Sequence, residues 1–239
     1  MSKSQPLSPV YILHGWTHDV EAWQPLTKIL KKHHFQPIVL NIPGLSAPLD
    51  QTWNLDDYVA WFKTAIKGQQ DLFIIAHSFG GRIALRFEVQ NPNRVKKLIL
   101  IDSSGIKPSS VAARLKRFSF RAAAKIGKKI TQNRGARHLL YRLAREQDYL
   151  KTDGVLRHTM ANIVQENQLS EIDFVKAHTL IIWGRGDKTT PLSNGRYFNK
   201  HITGSTLKII DDARHSPQYT HPDLVASYIC DFLGVTNKS

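Results

Sequence analysis

A serine hydroxyl is a poor nucleophile at neutral pH, and it becomes a good one only when a base takes its proton and a third group orients that base. Ser78 is a candidate for such activation. It follows the apolar run Leu72-Phe73-Ile74-Ile75 and sits inside Ala76-His77-Ser78-Phe79-Gly80-Gly81. Small residues two positions either side leave room for a tight strand-to-helix turn, which strains the serine backbone and exposes its hydroxyl. The plainer reading of Ser78 is a helix N-cap after a buried strand. Partner groups decide between the two, and two later loops offer them: Asp187 in Trp183-Gly184-Arg185-Gly186-Asp187, and His215 in Asp212-Ala213-Arg214-His215-Ser216-Pro217. Asp102, directly after Lys97-Leu98-Ile99-Leu100-Ile101, is a second carboxylate that could orient the base.

The elements that must position these groups are readable from apolar periodicity. Val10-Tyr11-Ile12-Leu13 predicts a first strand ending on His14-Gly15-Trp16, and Asp19 can cap a helix carrying Trp23, Leu26, Ile29 and Leu30 at helical spacing. Pro37 to Ile42 reads as the next strand, closing on Pro43-Gly44, and Leu55 to Ile66 as a helix. Strands follow at 72–75 and 97–101, and again at 180–183 and 206–210, with helices from about Pro191 and from Pro222 to Phe232. Continuous apolar strands alternating with helices predict an α/β fold: a mostly parallel sheet of about six strands with helices on both faces. In such a sheet the loops carrying Ser78, Asp187 and His215 share the C-terminal edge. Between 104 and 173 the strand pattern stops and the residues favour helix, so residues 1–103 and 174–239 are expected to form the core and 104–173 an inserted helical cap.

These motifs resemble those of the α/β-hydrolase family. Ala76-His77-Ser78-Phe79-Gly80 is similar to its nucleophile elbow G-x-S-x-G, with alanine at the first glycine, and the chain order Ser, Asp, His is the family's order. Asn41-Ile42-Pro43-Gly44 resembles its D-x-P-G segment, with Asn41 replacing aspartate, and Arg214 stands where the histidine loop often has glycine. The resemblance implies Ser78 as nucleophile, His215 as general base and then acid, and Asp187 as the orienting carboxylate, with Asp102 as the competing acid. It also makes His14-Gly15-Trp16 an oxyanion loop, so that the backbone N–H groups of Trp16 and Phe79 would face the developing oxyanion. The implied activity is hydrolysis of a carboxylic ester or related acyl bond through an acyl-enzyme. Thioesterase, amidase and C–C bond hydrolase chemistry use the same triad, and a non-catalytic small-molecule or membrane binding protein on the same scaffold is the reading from a different class. Serine at the elbow argues against the dehalogenase and epoxide hydrolase relatives, which use aspartate there.

The 239 residues suffice for one sizeable core plus an insertion, and Cys230 as the sole cysteine rules out an intrachain disulfide. The polar first nine residues and the short apolar run after them fit neither a signal peptide nor a membrane span, so a cytoplasmic protein is expected. No phosphate loop or dinucleotide fingerprint is present, and His14 and His18 lack the glutamate and helical context of a zinc site, so no cofactor and no metal are expected. The net charge is +14, and residues 105–157 hold fourteen basic against three acidic side chains. Within that stretch Val111, Leu115, Phe118 and Ala122 can line one helix face, with Arg114, Arg117, Arg121 and Lys125 beside or opposite them. Such a helix can rest on the core with its charges solvated, or meet an anionic membrane surface or an anionic substrate. Nucleic acid is disfavoured, because no binding motif accompanies the charge.

Overall fold

Strands with no polar face must be buried on both sides, and the inner strands of this sheet largely are. The computed structural model describes residues 8–17, 19–106 and 154–234. The first half contains β1 (Ser8–Leu13), a single helical turn at Glu21–Trp23, α1 (Gln24–Lys32), β2 (Phe35–Val39), α2 (Leu55–Ala65), β3 (Leu72–His77), α3 (Phe79–Gln90) and β4 (Val95–Ile101). Then come α4 (Gly154–Gln165), α5 (Leu169–Ile172), β5 (His178–Gly184), α6 (Leu192–His201), β6 (Thr206–Ile210), α7 (Pro217–Thr220) and α8 (Pro222–Leu233). The six strands run in the order β2-β1-β3-β4-β5-β6, and every neighbouring pair is parallel.

Alternation along the strands splits the core in two. Tyr11, Leu13, Ile74, Leu98, Leu100, Ile181 and Trp183 face α2, α3 and α6, while Val10, Ile12, Ile75, Ile99, Ile101, Leu180 and Ile182 face α1 and α8. The helices are pinned locally as well. The Asp19 carboxylate accepts from the Glu21 and Ala22 amides at 2.9 and 3.3 Å and so opens the turn before α1. Asn54 caps α2 by accepting from the Asp56 and Asp57 amides, and the Asp57 carboxylate accepts from the Asn54 N–H in return.

The second strand differs from its expected place. It runs Phe35–Val39, because β2 is an edge strand that tolerates Pro37, while the chain from Ile42 onward turns back on itself, with the Leu45, Ser46 and Ala47 amides all donating to the Ile42 carbonyl. The turn carries Ser46 towards β1. Of the stretch 104–173, the basic helix expected around Val111 to Lys125 lies outside the described residues, as does His18. Of α4 and α5, Leu156, Ile163 and Ile172 join the core on the α3 side. Arg86 of α3 ties this region down, bonding Asp56 at 2.9 Å, Glu166 at 2.9 Å and Glu171 at 2.7 Å. The buried Arg82 donates to the Glu166 carbonyl one helical turn earlier.

The elbow helix packs closest to β1 at Gly80, where a Cβ would overlap the Leu13 carbonyl. Backbone cannot give way there as a flexible side chain could. Gly80→Ala should therefore lower stability by about 1 to 3 kcal/mol, read as a shifted urea midpoint with an unchanged slope.

Candidate active site

Ser78 stands between the last residue of β3 and the first of α3, with φ 50° and ψ −113°. A residue with a Cβ is strained at such an angle, so the surroundings must hold it. They do so through both backbone groups. The Ser78 N–H donates to the Ile101 carbonyl at 3.1 Å, and its carbonyl accepts from the Gly81 amide, the Ser104 amide and the Ser104 hydroxyl, each at 3.0 Å. Gly15 is equally tight, since a Cβ there would lie 3.0 Å from the Ser78 Cβ and 2.8 Å from His77 Nδ1.

The structure brings Ser78, His215 and Asp187 together in series. His215 Nε2 is 3.0 Å from Ser78 Oγ, and His215 Nδ1 is 2.7 Å from Asp187 Oδ2. Because a carboxylate only accepts, the ionised Asp187 selects the tautomer with hydrogen on Nδ1 and leaves Nε2 bare towards the serine. Asp187 is itself held. Its Oδ1 accepts from the Thr189 and Thr190 amides at 2.7 and 3.0 Å, and its Oδ2 accepts from the Thr190 hydroxyl at 2.6 Å. Burial would raise its pKa, but the hydrogen bonds from His215 and Thr190 outweigh that and hold it below the ordinary carboxylate value.

Asp102 behaves in the opposite way. It is fully buried just after β4, its Oδ1 accepts from the Gly184 amide at 2.9 Å, and its Oδ2 has no hydrogen-bond partner among the described residues. Burial, with the nearby Asp187 charge adding to it, pushes its pKa up to about 9, so it is a neutral acid at pH 7. One carboxylate oxygen of Asp102 and one ring nitrogen each of His77 and His215 lie within 4.8 Å of one another, a grouping that could hold a metal ion. His77 Nδ1 and Asp102 Oδ2 have no hydrogen-bond partner among the described residues, but the other nitrogens are engaged. His77 Nε2 is 2.7 Å from the His215 carbonyl, and both His215 nitrogens face Ser78 and Asp187.

Trp16, on the loop after β1, packs against Phe79, the residue after the serine. Their rings stack at 4.6 Å, and Tyr58 meets Phe79 edge-on at 5.0 Å. Phe79 is the first residue of α3, so its N–H has no acceptor within the helix. The loop with Trp16 is anchored by the buried His14, whose Nδ1 lies 2.7 Å from the Gly15 carbonyl and whose Nε2 lies 2.8 Å from the Ser46 hydroxyl. Since the carbonyl only accepts, hydrogen sits on Nδ1 and Ser46 donates to Nε2. Thr190, Ser46 and His77 escaped sequence reasoning. Thr190 alone left a signal, a hydroxyl three residues beyond a candidate acid.

Comparison with known proteins agrees with this architecture. The model of the alpha/beta hydrolase family matches residues 10–228. The chain belongs to that family. Among curated relatives, a pimeloyl-[acyl-carrier protein] methyl ester esterase of Neisseria meningitidis is 22% identical across 97% of this chain and 96% of its own length. A 2-hydroxy-6-oxononadienedioate/2-hydroxy-6-oxononatrienedioate hydrolase of Pseudomonas putida is 26% identical across 94% of this chain and 87% of its own length. Among solved structures, a serine hydrolase involved in carbazole degradation superposes with a TM-score of 0.72 at 21% identity, over 96% of this chain and 92% of that one.

The raised Asp102 pKa has a consequence for stability. The folded state holds a proton that the unfolded chain releases near pH 4, so wild-type stability falls as pH rises from there towards about 9. Asp102→Asn lacks this loss. Its melting temperature relative to wild type should climb between pH 5 and pH 9 and level off above, which thermal scans across that range will read.

Proposed function

We propose that this protein is a serine hydrolase that cleaves a carboxylic ester through an acyl-enzyme. The observation that carries the reading is the unbroken series of contacts from Ser78 Oγ to His215 at 3.0 Å and from His215 to Asp187 at 2.7 Å. In this reading Ser78 attacks the ester carbonyl while His215 Nε2 takes the hydroxyl proton. Asp187 stabilises the imidazolium so formed, and the N–H groups of Trp16 and Phe79 stabilise the oxyanion. Collapse of the tetrahedral intermediate releases the alcohol, which leaves with the proton from His215. Water then attacks the acyl-enzyme with His215 again as base, freeing the carboxylic acid and restoring the serine.

The acid in this role is Asp187 rather than Asp102. Asp187 meets Nδ1 directly and is held ionised, whereas Asp102 spends one oxygen on the Gly184 amide and is neutral at pH 7. The lone cysteine, Cys230, is buried and suits a reducing cytoplasm. Among the described residues no helix is long and apolar enough to cross a membrane.

The charge of the chain favours an anionic acyl substrate. Residues 105–157 carry +11 of the total +14, and their field can steer a negatively charged ester towards the site. One curated relative is named for a substrate on an acyl-carrier protein and another for a dienedioate, a dicarboxylate. An anionic membrane surface is a weaker candidate for the same charge, and a non-catalytic binding protein is the alternative from another class.

Ser78→Ala and His215→Ala should each lower kcat by about four to six orders of magnitude, with a smaller loss in Asp187→Ala. A fluorophosphonate should label wild type and not Ser78→Ala. Absence of labelling in both would favour the binding protein, and turnover of a vinylogous diketone in preference to every ester would favour C–C hydrolysis. Steering makes a separate prediction: raising salt well above about 0.1 M, where the Debye length is about 10 Å, should lower kcat/KM for a carboxylate-bearing ester several-fold and leave a neutral ester of equal length unchanged.

A further inference from the structure

We infer that His77, the residue immediately before the serine, is a positioning residue that sets where His215 stands. The inference rests on the reading of Ser78, His215 and Asp187 given above. His77 ends β3, is 5% exposed, and lies 2.7 Å through Nε2 from the backbone carbonyl of His215. A carbonyl can only accept, so Nε2 carries the hydrogen and His77 donates. The loop that holds the base is thereby tied to the strand that holds the nucleophile, one residue away from that nucleophile.

The rest of the ring is fixed too. Trp23 and Tyr219 meet it edge-on at 6.4 and 6.2 Å, and the His215 ring lies 5.1 Å away. Nδ1 is buried beside Gly15 with no hydrogen-bond partner among the described residues. A second proton on that nitrogen would bring a charge into a buried site, near Asp102 and Asp187 but next to an imidazole that must itself become cationic during turnover. Burial and His215 together push the His77 pKa down to about 3. His77 therefore keeps one proton, on the nitrogen that faces His215, throughout the cycle.

This link acts on geometry alone. His77 touches no reacting atom, yet a drift of the His215 backbone would move Nε2 off its 3.0 Å contact with Ser78 Oγ. A misplacement of about 1 Å at a reacting centre costs on the order of a hundredfold in rate.

Three variants of the full chain test the proposal: His77→Ala, His77→Phe, which keeps a ring without the donor, and His77→Gln, whose amide N–H can occupy the place of Nε2–H. Kinetics on an ester and the rate of fluorophosphonate labelling of Ser78 are measured on protein shown to be folded by its melting transition. His77→Ala and His77→Phe should lower kcat and the labelling rate in parallel by about a hundredfold with KM little changed, and His77→Gln should recover to within about tenfold of wild type. Wild-type rates in folded His77→Phe, or a folded His77→Gln no faster than His77→Phe, would overturn it. If His77→Ala does not fold, the comparison of Phe with Gln decides alone. Failure of wild type to label would instead strike the parent reading, so the two failures are distinguishable.

Discussion

The site depends on a serine held in a backbone conformation that a residue with a side chain resists. Ser78 keeps a φ of 50° because its amide is bound by Ile101 of β4 and its carbonyl by three donors, two of them on Ser104. Apart from the Gly81 amide of α3, those anchors come from the strand beside it and from the chain just beyond that strand. The strain is thus balanced by the sheet, and the sheet must be in place before the hydroxyl can project. Gly15 and Gly80 serve the same end, since each lets a neighbouring segment approach where a methyl group would collide.

Two buried carboxylates close to one another illustrate how environment, and not residue type, assigns roles. Asp187 receives four hydrogen bonds, from His215, the Thr190 hydroxyl and two amides, and stays ionised despite burial. Asp102 receives one from Gly184 and is neutral at pH 7. Like charges so close would repel, and the charge on Asp187 contributes to the raised pKa of Asp102. Thr190 joins the two, since its hydroxyl lies 2.6 Å from the Asp187 carboxylate and 3.1 Å from the Asp102 carbonyl.

A further layer of polar contacts joins the elbow helix to the segment that follows residue 153. Arg86 gathers three carboxylates from α2 and from the chain around α5, and Arg82 donates to Ser104, whose hydroxyl in turn bonds the Ser78 carbonyl. Gln168 donates to the Arg82 carbonyl from the other side. Ser104, which supports the serine backbone, is therefore linked through Arg82 to the loop before α5.

The alternation of apolar runs and helical spacing determined the class of fold from the sequence alone, because burial on both faces demands uninterrupted apolar strands, and those are visible at 10–13, 72–75, 97–101 and 180–183. The parallel direction followed from the helices between them, so the loops after β3, β5 and β6 had to share one edge, and Ser78, Asp187 and His215 could be named. The preference for Asp187 over Asp102 came from the family resemblance and not from the strand pattern. Asp102 and Asp187 both follow strands, and only the packed chain shows one turned to His215 and the other to the Gly184 amide. Nor was His77 legible as a partner of His215, for its acceptor is a backbone carbonyl 138 residues further on. Side-chain pattern encodes which faces are buried, whereas the pairing of one donor with one distant acceptor is fixed to tenths of an ångström by the way β3 and the loop after β6 lie together, and that belongs to the tertiary structure.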